Sequence, residues 1–276
     1  KMKLEYSGQL GIQSKPDFAF RPMHTAEMFK AKQDLGRFLN NSSANSNQNM
    51  PGWFYVKENP RYAALSAADQ ARADVIYDSM SKINTDWSDY FFRQGSFSNH
   101  QITLSGGTGK TRVYSSVALY NEEGTSTRTD MKRVTVRNNM DYADERLSFS
   151  ASSNLAYTKR SFQQSTATNG LGNPFLVVNI AAPYHRPYNP DGTINNGNTN
   201  KHVSTTLLDL IAKDKNYNDQ LKATVGFNLT YKITEDLTAG FVTGIDFRET
   251  QSTVYQNKEA YTRTLQTTTP TVFDGS

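Results

Sequence analysis

The stretch from Thr85 to Arg160 constrains the fold more than any other part of the chain. It reads TDWSDYFFRQGSFSNHQITLSGGTGKTRVYSSVALYNEEG and continues through TDMKRVTVRNNMDYADERLSFSASSNLAYTKR. Apolar residues recur at every second position over four segments, and turns or polar loops separate the segments. A period of two is that of a pleated strand with one apolar face, so this part of the chain is a β-meander.

The same alternation appears on either side. Leu4, Tyr6, Leu10 and Ile12 share one parity of a first strand that Pro16 ends. Ile102 and Leu104 mark the second strand, and Val113, Ser115, Val117 and Leu119 the third. Val134, Val136, Met140 and Tyr142 mark the fourth, and Leu147, Phe149, Ala151, Leu155 and Tyr157 the fifth. A sixth strand carries Leu221, Ala223, Val225, Phe227, Leu229 and Tyr231, and a seventh Leu237, Ala239, Phe241, Ile245 and Phe247. The opposite parity holds Thr103, Ser105, Ser148, Ser150, Ser152, Asn154 and Thr158, which are small and polar.

Helical periods interrupt the strands twice. Thr25 to Leu39 suits an amphipathic helix with Thr25 as N-cap. Ser66 to Lys82 suits a second, with Ser66 and Asp69 as a variant capping box. Asn40 to Asn49 is a flexible Asn/Ser tract by composition, and NPDGTINNGNTN is turn-rich around Asp191 and Gly192. Leu207 to Lys213 adds a helical turn or two.

Connection lengths alternate. Gly106–Lys110, Ala143–Arg146 and Lys232–Asp236 are tight, whereas Ser14–Ser96, Glu122–Thr129 and Gln163–Asn216 are longer and polar. Short turns at one end and long loops at the other are expected of an outer-membrane barrel. Tyr120, Tyr157 and Phe247 fall at the long-loop ends of outward-facing strands or next to them, and Tyr142 and Tyr231 at the short-turn ends, as two interfacial girdles would. Ordinary strand-end aromatics of a soluble sheet are the alternative.

Composition is compatible with this. The mean hydropathy of -0.67 is low, and no run approaches the about eighteen apolar residues of a transmembrane helix. A barrel wall needs only alternate residues to be apolar, so its average can look soluble. The absence of cysteine removes disulfides, thiolate metal sites and a Cys nucleophile. A net charge of +4, with scattered Lys and Arg, gives no basic stripe for nucleic acid. The chain opens at Lys1 without a signal-peptide pattern and closes in a Thr-rich run, so a segment of a longer protein is expected.

Candidate chemistry is sparse. GGTGKT resembles a phosphate loop, but the first Gly of that motif would fall at Leu104, and a strand, TRVYSSVALY, follows where a helix is required. The glycines instead suit a tight hairpin with positive φ. His24, His100, His185 and His202 are dispersed, the Asn189–Asn196 loop lacks EF-hand spacing, and no cofactor or metal is expected. No nucleophile elbow or acid–base constellation stands out, so the chain is not expected to be an enzyme. The best binding candidates are loop aromatics, among them Trp53, Tyr55, Trp87, Tyr90, Phe91, Tyr184 and Tyr188, which suit sugars or peptides. Packing of the long loops is an equal alternative for them.

Taken together, DW-x(4)-FR-x-G from Asp86, NH-x(4)-SGGT from Asn99 and KR-x-x-x-R-x-N from Lys132 resemble the SusC/RagA family, and AAPYHRPYNPDGT fits as well. That family comprises TonB-dependent outer-membrane transporters of Bacteroidetes. The resemblance runs from Leu4 through most of the chain. It implies an all-β fold: residues 1–276 would be part of an antiparallel transmembrane barrel of about 22 strands. They would hold about the first seven strands after the plug domain, with the plug, TonB box, signal peptide and closing strands absent. It also implies nutrient import, glycan or oligopeptide, across the outer membrane, beneath a SusD-like surface lipoprotein and coupled to TonB. The long connections would face outward. The rival is a soluble β-rich carbohydrate-binding module, which predicts charged residues on the polar parity and a fragment that folds alone.

Overall fold

The computed structural model describes residues 1–18, 20–39, 60–163, 172–195 and 203–260. One unit holds a seven-stranded antiparallel sheet in which spatial order equals chain order, β1 to β7. The strands are β1 (Met2–Gln13), β2 (Gly95–Gly107), β3 (Thr111–Glu123), β4 (Asp130–Ala143), β5 (Leu147–Ser161), β6 (Lys215–Lys232) and β7 (Thr238–Tyr255). Every strand anticipated from the alternation is present.

Turns at one end of the sheet set its register. Thr108 N–H donates to Thr111 O (2.8 Å) between β2 and β3, Asp144 N–H to Leu147 O (2.8 Å) between β4 and β5, and Ile233 N–H to Leu237 O (2.8 Å) between β6 and β7. GGTGKT is therefore a hairpin turn. The expectation of positive φ at its glycines is corrected: among the described residues only Gly192 is a positive-φ glycine. Clearance is what the first two require. A Cβ on Gly106 would meet Met2 Sδ at 2.6 Å, and one on Gly107 would meet Thr111 O at 2.1 Å.

Register places the apolar parities of all seven strands on one face. Leu4 faces Leu104 and Tyr6 faces Ile102; Ile102 faces Val117; Val117 faces Val136; Val136 faces Leu155; and Leu155 faces Ala223, which faces Phe247. Nothing among the described residues covers this face. Even in interior strands Val117 is 47% exposed, Leu119 49% and Leu155 44%. His100 is a polar exception on it, and the Tyr6 hydroxyl lies 2.7 Å from its Nδ1.

The apolar band has two edges. Near the turns it is rimmed by rings: Tyr142 stacks on Phe149 (5.5 Å), Phe149 on Phe227 (6.2 Å), and Phe227 tilts against Phe241 (6.4 Å). Near the long connections Tyr157 donates to Asp219 Oδ1 (2.8 Å), and beyond it Lys132 faces Lys159. Between Leu147 and Tyr157 the strand rises about 33 Å at about 3.3 Å per residue. At the 35–45° tilt of barrel strands that projects to about 25 Å, the height of a lipid-facing band. Tyr120 is a correction: it pairs with Asn99 and Arg133 on the opposite, polar face, so it is no part of a girdle.

A second compact unit comprises residues 17–92, 164–214 and 256–276. It holds helices α1 (Thr25–Leu39), α2 (Pro60–Ala63), α3 (Ala67–Ser81), α4 (Ser88–Phe91), α5 (Pro174–Ile180) and α6 (Val203–Lys213). Ser66 caps α3 as its sequence indicates, accepting from Asp69 N–H (3.2 Å). Thr25 is not the cap of α1. His24 supplies the first acceptor, to Met28 N–H at 2.9 Å, and Glu27 reaches back to His24 N–H at 2.8 Å. The Thr25 hydroxyl instead donates to Ile83 O. The core of this unit joins Trp87, Phe91 and Phe92 to Val177, Val178, Ala181, Leu207 and Leu208.

Candidate functional site

The polar face of the sheet carries the first candidate site. Period two puts Tyr114, Ser116, Ala118 and Tyr120 of β3 on this face. Register sets Arg137, Thr135 and Arg133 of β4 opposite the last three of these. On the other side β2 presents Gln101 opposite Ala118 and Asn99 opposite Tyr120. Small residues (Ser116, Ala118, Thr135) thus floor a depression of about 250 Å³ that the two tyrosines bound.

Its side chains are held by neighbours in the same sheet. The Arg133 guanidinium sits 5.2 Å from the Tyr120 ring centroid, a cation–π arrangement that fixes its orientation. Tyr120 stacks on Phe97 (6.1 Å) and donates to Glu122 Oε2 (3.0 Å). Gln101 Nε2 donates to Thr103 Oγ1 (3.0 Å), and Thr103 and Ser116 are buried. Among the described residues no carboxylate closes on Arg133 or Arg137. The polar parity is therefore not uniformly small. Arg112, Asp141, Lys222, Asp246 and Arg248 share it, as their register shows.

The second candidate is the aromatic cluster of the helical unit. DWSDYFF forms a short helix because Asp86 Oδ1 accepts from Ser88 N–H (2.8 Å) at its start. This points Trp87 and Phe91 into the core, with rings 6.1 Å apart. The indole Nε1–H donates to Ala182 O (2.8 Å), and Thr85 Oγ1 to His185 O (2.7 Å), which ties this helix to the APYHRP segment. Tyr184 is buried between Phe29 (5.2 Å) and Lys32, whose ammonium donates to its hydroxyl. Burial lowers the Lys32 ammonium to about 8 and pushes the Tyr184 phenol up to about 12. Tyr90 and Tyr188 lie at the margin with rings 6.2 Å apart, and Tyr188 is 45% exposed. Below Tyr188 the chain turns at Gly192 (φ +82°), with Asp191 Oδ1 accepting from Thr193 N–H (2.9 Å).

Of the loop aromatics singled out from sequence, the structure brings five together in this unit: Trp87, Tyr90, Phe91, Tyr184 and Tyr188. Trp53 and Tyr55 lie outside the described residues. Trp87, Phe91 and Tyr184 are packed inside, and Tyr90 and Tyr188 border solvent. The Arg133–Tyr120 depression escaped sequence reading. The signal available was KR-x-x-x-R read with period two, which sets two arginines on one face. Among the described residues no group of three His, Asp or Glu side chains converges as metal ligands would.

No protein-family profile matches the chain. TonB-dependent receptor P3 of Formosa agariphila is 30% identical over 115 residues, which cover 40% of this chain and 11% of that protein. Among solved structures, the RagAB peptide importer in its closed-closed state superposes with a TM-score of 0.63 at 18% identity over 95% of this chain. Its open-open state gives 0.60 at 18% identity over 92%. The chain spans 30% and 28% of those chains. The wall seen here, seven strands in chain order with short turns at one end, has the fold of the matching part of the RagAB structures.

Proposed function

We propose that this chain is part of the barrel domain of an outer-membrane importer, and that its uncovered apolar face meets lipid. The observation that carries the reading is the band of half-exposed Leu, Val, Ile and aromatic side chains, about 25 Å tall by the strand argument above. A water-soluble sheet does not leave so large an apolar surface open. The charges on the polar face, which a soluble module would also display, suit the polar interior of a barrel equally well. The opposite face therefore decides between the two.

On this reading the end with long connections faces outward, and the lumen conducts a nutrient. The solved RagAB structures are described as a peptide importer, which supports an oligopeptide as substrate. A glycan is the other class that the loop aromatics suit. Within the helical unit Tyr90 and Tyr188 would touch substrate, as would Trp53 and Tyr55. Trp87, Phe91 and Tyr184 would hold that surface in place. A SusD-like surface lipoprotein and TonB are the partners expected of the whole protein. The full-length protein should fractionate with outer membranes and need detergent for extraction. If it were recovered soluble without detergent, the import reading would be lost.

A further inference from the structure

We infer that the apolar face of the sheet binds one phosphorylated glycolipid at the long-connection edge of its band, with a phosphate held between Lys132 and Lys159. The inference rests on the lipid-facing reading of that face. Register sets the two lysines directly opposite each other on β4 and β5. Their Cβ atoms are then about 4.5–5.5 Å apart, and like charges so placed destabilise the sheet unless an anion lies between them. Both are exposed, and among the described residues no carboxylate lies within ion-pair distance of either ammonium. The acids that share this end of the face have partners of their own. Asp219 accepts from the Tyr157 hydroxyl (2.8 Å), Asp130 accepts from Ser161 (3.3 Å), and Glu123 lies 3.6 Å from Arg93. Lys159 Nζ rests 4.7 Å from the Tyr217 ring centroid, a cation–π contact that holds it on this face.

The surroundings select a lipid with a broad polar head over a free anion. In the same row as the lysines β3 presents Asn121, β2 presents Ser98 and β1 presents Leu10. Ser96, Ser98 and Asn121 floor a depression of about 1070 Å³, with Leu10 and Ile12 at one margin and Lys132 at the other. It is therefore apolar on one side, lined by hydroxyls and an amide along its floor, and cationic on the far side. On the lipid-facing reading it lies where the hydrocarbon band gives way to headgroups. From Ser98 to Lys159 is three strand spacings, about 14 Å. A single phosphodiester does not bridge that span, whereas a phosphorylated sugar head does, and Ser96, Ser98 and Asn121 can bond its hydroxyls. Its chains would then lie on Ile102 and Val117 in the band below. The site also gives a role to Ser96 and Ser98, polar side chains on the otherwise apolar parity of β2.

The test uses the full-length protein in detergent and native mass spectrometry of the lipid it retains. The probes are diphosphoryl lipid A, its phosphate-free counterpart and dioleoylphosphatidylglycerol. Diphosphoryl lipid A should half-saturate the protein at a concentration at least about tenfold below that of either other probe. In the K132Q/K159Q protein that preference should fall below about threefold. K222Q, which removes a lysine from the polar face, should keep it. Both substituted lysines are exposed, so the double variant retains the fold. Equal binding of lipid A with and without its phosphates, or binding of no probe, overturns the site and leaves the lipid-facing reading intact so long as the protein still requires detergent. Phosphatidylglycerol binding as tightly as diphosphoryl lipid A overturns the glycolipid assignment. A preference that survives in K132Q/K159Q, or that K222Q lowers equally, overturns the lysine pair as its source. Recovery of the protein without detergent would instead remove the reading on which the site rests.

Discussion

Gly107 and Thr111 stand so close that a side chain on the first would strike the backbone of the second, with Cβ at 2.1 Å from the carbonyl oxygen. The obstacle is main chain, so it cannot swing away. Gly107→Ala should cost about 1–3 kcal/mol through forced separation of β2 from β3. Gly109, with nothing within 4 Å of its Cβ position and no positive φ, should accept Ala at no cost or gain up to about 1 kcal/mol. Thermal melting of the full-length protein in detergent ranks the two. The reverse order would contradict a turn built on clearance.

The β4–β5 turn depends on one carboxylate. Asp144 Oδ1 accepts from the N–H groups of Leu147 (2.7 Å) and Arg146 (2.9 Å), and Tyr142 donates to Oδ2 (2.8 Å). These bonds hold its carboxyl down at about 2. The unfolded value is near about 3.9, so the unfolded chain binds more protons in between. The turn's contribution is complete above about pH 4 and is lost as pH falls through about 2. NMR titration of the Asp144 carboxyl should show the low value, and Asp144→Asn should remove this segment of the pH dependence. A midpoint near 4 would contradict the bonding pattern.

Val225 and Asn228 sit at neighbouring levels of β6 on opposite faces. Val225→Arg should cost about 2–4 kcal/mol if the band spans a bilayer, because the charge meets hydrocarbon near its midplane. Asn228→Arg should change stability by no more than about 0.5 kcal/mol. Urea unfolding of the full-length protein in lipid vesicles measures both. At a site already 44% exposed, a soluble sheet would tolerate either arginine, so equal small effects would end the lipid-facing assignment.

In the helical unit, packing and contact residues should separate by experiment. Trp87→Ala removes a buried indole and its bond to Ala182 O. It should cost about 3–5 kcal/mol, seen as faster proteolysis of the 172–195 segment. Tyr188→Ala should leave that protection unchanged and weaken substrate binding. Loss of protection without loss of binding in Tyr188→Ala would move this residue into the supporting class.

How far the sequence could be read follows from where each signal resides. The wall was legible because its apolar parity is written into single strands: Leu147, Phe149, Ala151, Leu155 and Tyr157 identify β5 without its neighbours. β2 was faint, since Ser96, Ser98 and His100 occupy its apolar parity and only Ile102 and Leu104 signal it. α5 was missed because FLVV is β-branched and apolar. The cues lay just before it: Asn173 as cap, accepting from Phe175 N–H (3.0 Å), and Pro174 at the first helical position. Tyr120 was assigned to the wrong face because aromatic character outweighed its parity. The arginine-lined depression needs three strands in register, and no single segment encodes that relation.

The separation of tight turns from long connections has an evolutionary corollary. Pairing between β2 and β3, β4 and β5, and β6 and β7 is set at the turn end, so residues added between Gln13 and Gly95 or between Ser161 and Lys215 shift no register. Doubling such a connection costs only about 0.6 kcal/mol in closure entropy. A lineage can therefore exchange the helices and aromatic clusters of these connections while the wall retains its pairing.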